Sequence, residues 1–227
     1  MLLAITTLLL SALAAAVPRI ILHDQTQSSN IVPTDAKVSV QLGVMSKCPD
    51  ALLCEATFNT VLEKVKYKMD LSLVYIARFD DSDPDFGVTC LHGPEECAGN
   101  VQQLCVNRYA TKEQWWDFVQ CQNFGGKDAI GKPEVALRCA GAAQIDWETS
   151  GAGRCAGLDG SSKGLEGVQL LHESVKLGQT LNITTSCTIL ISARKICVHD
   201  STWKECEGGH TVNDFVRQIN EEYDRLN

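Results

Sequence analysis

The chain has 227 residues, 44% of them hydrophobic and 21% charged, with 11 cysteines and a formal net charge of -8. This is ordinary globular composition, which excludes wholesale disorder, collagen-like repeats and a coiled coil; an acidic chain without a Lys/Arg cluster also gives no footprint for nucleic acid. Eleven cysteines suit a compartment in which disulfides persist, and the odd count leaves at least one thiol over if the rest pair.

Met1–Ala16 is uncharged and apolar, too short to span a bilayer, and ends on Ala14-Ala15-Ala16, small residues where a signal peptidase reads. It predicts a secretory signal cleaved near Ala16, an uncleaved anchor being the other reading. Residues 17–35 have no periodicity and form a lead-in. No later segment is long and apolar enough to cross a membrane. The mature chain is therefore expected in a secreted or endolysosomal/vacuolar lumen, and Asn182-Ile183-Thr184 is a glycosylation sequon consistent with that route.

The domain is expected over 36–227. Ala36–Met45 reads as a buried strand, and Lys47-Cys48-Pro49 as a turn. From Asp50 the apolar positions Leu52, Leu53, Ala56, Val61, Leu62 and Val65 recur at helical spacing, with Pro49 tolerated in a first turn. Leu71–Phe79 is a second strand, giving β-α-β with parallel strands. Asp80–Asp85 reads as a solvated acidic loop rather than a calcium loop, since Pro84 interrupts the pattern. A helical insert at about 90–180 follows, with helices over 95–109, 112–123, 133–145 and 161–177, and with Trp115 and Trp116 as core. Thr188–Ile191 and Lys195–Val198 make a hairpin, and Thr211 caps a last helix carrying Phe215, Val216, Ile219 and Tyr223. This order matches an α/β thioredoxin-like fold with a Cys-rich helical insertion.

Cys48 stands at a strand–helix junction, where unpaired N–H groups favour thiolate over thiol. Asp50 opposes that effect. A dithiol site would carry its second cysteine three residues on, where this chain has Ala51. If residues 48–54 are helical, Cys54 is roughly 9 Å away and rotated about 240°, a poor disulfide partner for Cys48. A redox role and a structural disulfide are both open for Cys48 at this point.

The densest motif is Cys90-Leu91-His92-Gly93-Pro94-Glu95-Glu96-Cys97, continuing to Asn100 and Cys105. Physically it reads as a helix with an acidic first turn, sewn to its neighbours by two disulfides. A zinc set of Cys90, His92, Cys97 and Cys105, or His92 as an acid/base partner of the thiol, are sharper alternatives, but the spacing matches no standard finger. No metal or cofactor is expected.

The pattern C-x-H-G-x-x-E-C-x-x-N-x-x-x-x-C resembles the signature of the gamma-interferon-inducible lysosomal thiol reductase family, carried here by Cys90, His92, Gly93, Glu96, Cys97, Asn100 and Cys105. Leu91 replaces the family's Gln, and Ala51 replaces the second active-site cysteine. The resemblance extends to the signal segment, the Cys48-Pro49-Asp50 start and the Leu170-Leu171-His172 helix. It implies a thioredoxin-like fold and a protein disulfide reductase with Cys48 as nucleophile, possible as a monothiol, acting on disulfide-containing polypeptides. The alternative function is a non-catalytic, disulfide-stapled secreted glycoprotein acting as a binding or structural module.

Thioredoxin-like proteins place a cis-proline before the strand facing the redox cysteine; along this chain that place falls at Ser186-Cys187. Cys187 is therefore expected to face Cys48 and either pair with it or resolve its adducts, the alternative being a staple from sheet to insert. Cys197 and Cys206 flank a short loop and are expected to pair. Cys54, Cys121, Cys139 and Cys155 are structural disulfide candidates, the last three in the insert with unassigned partners. The expected free thiol is Cys48.

Overall fold

The computed structural model describes residues 35–227. The signal segment Met1–Ala16 and nearly all of the lead-in lie outside the described residues. Strand β1 (Val38–Val44) alternates as a strand should: Val38, Val40, Leu42 and Val44 are fully buried on one side. Helix α1 (Pro49–Val65) returns antiparallel to it, burying Ala51, Cys54, Phe58, Val61 and Val65, one stripe at three- and four-residue spacing. Strand β2 (Met69–Tyr75) then pairs parallel with β1, Val38 opposite Met69 through Val44 opposite Tyr75.

The expected second strand is two pieces. The run breaks after Tyr75, and Arg78–Phe79 (β3) pairs instead with Val88–Thr89 (β4) as a separate small hairpin. Asp80 and Asp83 shape the loop between them. Asp80 accepts hydrogen bonds from the Ser82 and Thr89 hydroxyls and Asp83 from the Asp85 and Phe86 N–H groups. These bonds hold the Asp80 carboxyl below the usual range.

The insert comprises α2 (Pro94–Tyr109), α3 (Lys112–Phe124), α4 (Pro133–Ala142), a short α5 (Gly151–Ala156) and α6 (Leu165–Thr180). Helix α2 is its hub, packing on α3, α5 and α6, while α6 packs on β2. Trp115 and Trp116 are buried. Strands β5 (Thr188–Ile191), β6 (Arg194–Asp200) and β7 (Thr202–Lys204) complete a five-stranded sheet of order β2-β1-β5-β6-β7, with β5 antiparallel to β1. Helix α7 (Val212–Leu226) opens on a capping box between Thr211 and Asp214 and packs against α1, Phe215 against Phe58. The end of β1 and the starts of β5 and α1 converge on one edge, and there Cys48 sits.

Candidate active site

Cys48 is the N-cap of α1, with Pro49 in the first turn and no side-chain cap of its own. Its backbone N–H donates to the Met45 carbonyl, closing the turn that ends β1. The sulfur has two polar neighbours: the Asp50 carboxylate, with Oδ2 at 3.8 Å, and the Ser186 carbonyl oxygen at 4.0 Å. The described residues hold all eleven cysteines; ten are in disulfides, and Cys48 is the free one, buried at 7% exposure.

Cys187 requires a correction. The Ser186–Cys187 peptide is cis and Ser186 faces Cys48, but Cys187 is bonded to Cys54. It is neither paired with Cys48 nor a free thiol ready to resolve its adducts. The reason lies in α1: Cys54 falls on the buried stripe, facing the sheet, where Cys187 at the foot of β5 comes within 6.4 Å between Cα atoms. Ala51, fully buried, occupies the place of a second active-site thiol.

The signature around Cys90 builds the support of this loop. Cys90 bonds to Cys97, closing the chain about Gly93, the N-cap of α2, whose φ of 92° lies in the left-handed region that favours glycine. One helical turn apart on α2, Glu96 and Asn100 are both completely buried and point at the Cys48 turn. Glu96 accepts the Lys47 N–H at 3.3 Å, and Asn100 Oδ1 accepts the Ser46 N–H at 3.2 Å. The Ser46 hydroxyl donates to the Glu96 carbonyl. His92 Nδ1 pairs with the same Glu96 carboxylate rather than with the sulfur, so His92 orients the support and is not a partner of the thiol. With Cys90 and Cys97 joined, and Cys105 bonded to Cys155, the zinc set has no thiolates to offer. Cys121 pairs with Cys139, and Cys197 with Cys206.

One residue of the site has no counterpart in the sequence reading. His199, 8% exposed at the end of β6, places Nδ1 2.6 Å from Asp50 Oδ1, close enough for an ion pair yet misaligned for a hydrogen bond. The Ser201 N–H donates to the same oxygen at 2.9 Å. Backbone bonds between His199 and Cys187 in both directions fix the histidine, and Trp203 packs edge-on against its ring. Sulfur, carboxylate and imidazole thus form a row: Cys48, Asp50, His199. At about 4 Å, two like charges repel by about 4 kcal/mol at an effective dielectric near 20. A bare Asp50 carboxylate therefore opposes the thiolate that nucleophilic attack needs.

A groove of about 450 Å³ beside the turn is lined by Met45, Ile76, Ala77, Arg78, Thr89 and Leu91, the last 75% exposed. A larger cavity of about 630 Å³ lies at the far end of α1, lined by Leu62, Lys66, Met69 and Trp115 among others, away from the sulfur. Asn182 of the sequon is exposed, just past α6.

Comparison with known proteins agrees with this architecture. The structure is similar to BdbD from Bacillus subtilis, 17% identical with a TM-score of 0.59 over 84% of this chain and 89% of that one. It is similar also to MdbA, a thiol-disulfide oxidoreductase from Corynebacterium diphtheriae, 12% identical with a TM-score of 0.56 over 83% and 86% of the two chains. These likenesses establish the α/β thioredoxin-like fold. In sequence, GILT-like protein 1 of Drosophila melanogaster is 27% identical over 128 residues, and the match spans about half of each chain, 50% of this one and 51% of that one. A family profile described as gamma interferon inducible lysosomal thiol reductase matches residues 39–143, the stretch that holds Cys48 and the whole Cys90–Cys105 signature. By that match, residues 39–143 of the chain are similar to the gamma interferon inducible lysosomal thiol reductase family.

Proposed function

We propose that this protein reduces disulfides in polypeptide substrates through Cys48 acting as a monothiol. The observation that carries the reading is the position of the one unpaired cysteine: the N-terminus of α1, in the turn that the family signature supports. The Cys48 thiolate attacks one sulfur of a substrate disulfide, the S–S bond breaks, and the departing thiolate takes a proton from solvent. A low-molecular-weight thiol then attacks the Cys48 sulfur of the mixed disulfide and releases the second substrate thiol. A further equivalent of that thiol restores Cys48. The net change is one substrate disulfide reduced and two small thiols oxidised to their disulfide. Cys187 and Cys54, bonded to each other, take no part in this scheme. The groove bounded by Met45 and Leu91 offers an apolar surface for the polypeptide flanking the disulfide.

Five disulfides favour an oxidising lumen, secreted or endolysosomal/vacuolar, reached through the signal segment, with Asn182 as a glycan site. The competing reading, a non-catalytic stapled glycoprotein that binds partners, is favoured by the burial of Cys48 and by Ala51 at the resolving position. Reductase assays on a disulfide-bonded polypeptide, with a small thiol as reductant, separate the two. Cys48→Ser should abolish activity, and the wild type should yield a substrate adduct mapped to Cys48. Equal activity in Cys48→Ser, or no adduct at Cys48, sinks the reductase reading and leaves the binding module.

A further inference from the structure

The row Cys48, Asp50, His199 rests on the reading of Cys48 as nucleophile and extends it. We propose that His199 is a positioning residue whose protonated ring neutralises the Asp50 carboxylate and thereby permits the Cys48 thiolate. At 2.6 Å from a carboxylate oxygen, Nδ1 must carry a proton, because two bare lone pairs at that distance repel. The net charge of the Asp50–His199 pair is then set by the second ring nitrogen. With Nε2 protonated the pair is neutral; with it bare, the pair is an anion whose other oxygen lies 3.8 Å from the sulfur.

The other charges around the sulfur are already matched. From the turn, Lys47 faces Glu95 of α2 at 3.9 Å. From α2, Glu96 is held by the Lys47 N–H and by His92, a second histidine–carboxylate pair that supports the turn without contacting the sulfur. On the strand side Asp200 pairs with Lys204 at 2.7 Å, which holds its carboxyl low, and His210 stacks on Trp203. Asp50 is the carboxylate within hydrogen-bonding distance of the sulfur, and His199 is the group that balances it.

The test is the rate at which iodoacetamide alkylates Cys48 in the folded full chain from pH 4 to 9. His199→Gln should slow alkylation at pH 5 by about tenfold, the size of a one-unit change in the thiol's ionisation. Asp50→Asn should speed it by a similar factor at pH 7 and flatten the profile between pH 5 and 7. In the double variant, Asp50→Asn should restore most of the rate lost in His199→Gln. Asp50→Asn keeps an acceptor for the Ser201 N–H and is isosteric, so it tests the proposal independently of any loosening of β6 by the histidine variant. An Asp50→Asn profile parallel to wild type, or a double variant as slow as His199→Gln, overturns the role of the pair while Cys48 remains the nucleophile. A wild-type Cys48 inert across the whole range overturns the nucleophile reading itself.

Discussion

Asn100 Oδ1 accepts a backbone N–H from Ser46, two residues before Cys48, and both residues are buried. Asn100→Ala therefore strands a buried donor, a loss of about 1–3 kcal/mol in urea unfolding. It should also blunt the pH dependence of Cys48 alkylation, because the turn that fixes Cys48 against Asp50 is freed. An unfolding midpoint equal to wild type would show that water or a local shift satisfies Ser46. The seven signature residues were legible as a unit through the family resemblance, but their purpose was not. The motif says which residues recur together, and only the fold shows Glu96 and Asn100 aimed across 50 residues of sequence at Lys47 and Ser46.

Helix α1 was legible because its buried stripe keeps helical spacing, but one member of that stripe breaks the pattern. Glu55 is 1% exposed, accepts one hydrogen bond from Asn123 at 2.6 Å, and leaves its other oxygen unpartnered. Burial pushes its carboxyl up to about 8, the Asn123 bond offsetting only part of the shift. Because the folded value lies above the unfolded one, the folded state binds the extra proton between about pH 4.5 and 8. Stability from this group is present below that window and is lost as pH rises through it, at up to about 1.4 kcal/mol per pH unit. Glu55→Gln should flatten the fall in unfolding free energy from pH 5 to 8, and an unchanged slope would show that Glu55 is not the group responsible. The β5–β6 hairpin was legible as well, but its register was not. Between Ile189 and Leu190 the pairing slips by one residue, so Thr188 meets Val198 and Cys187 meets His199. A regular hairpin from the pair Ile191–Arg194 would set Val198 opposite Cys187 and turn the histidine to the other face. The expected strand Lys195–Val198 also stops one residue short of His199, which β6 carries, so the histidine fell outside the sequence reading.

At the scale of the whole molecule, the disulfides divide into those around the Cys48 turn, those that hold the insert, and Cys197–Cys206 closing the loop from β6 through β7. Beyond the pair Cys197–Cys206, sequence could name the cysteines but not match them, since pairing depends on which helices meet, and α5 with Cys155 was not visible as a helix at all. Cys105–Cys155 ties α2, the carrier of Glu96 and Asn100, to α5, beyond the residues the family profile covers. Its cysteines are 50 residues apart and fully buried, whereas Cys197 and Cys206 are nine apart and close the short loop that carries His199 and β7. Cross-linking restrains the unfolded chain more for longer loops, by about 4 kcal/mol for the first and about 2.6 kcal/mol for the second. Two alanines in place of Cys105 and Cys155 also leave a void that the buried α2–α5 contact cannot fill with water. The double variant Cys105→Ala/Cys155→Ala should thus melt lower than Cys197→Ala/Cys206→Ala, with Cys48 alkylation changed in the first. If the two variants melt together and Cys105→Ala/Cys155→Ala leaves alkylation at the wild-type rate, α2 is held by its packing alone, and the support of the Cys48 turn does not depend on the insert's cross-link.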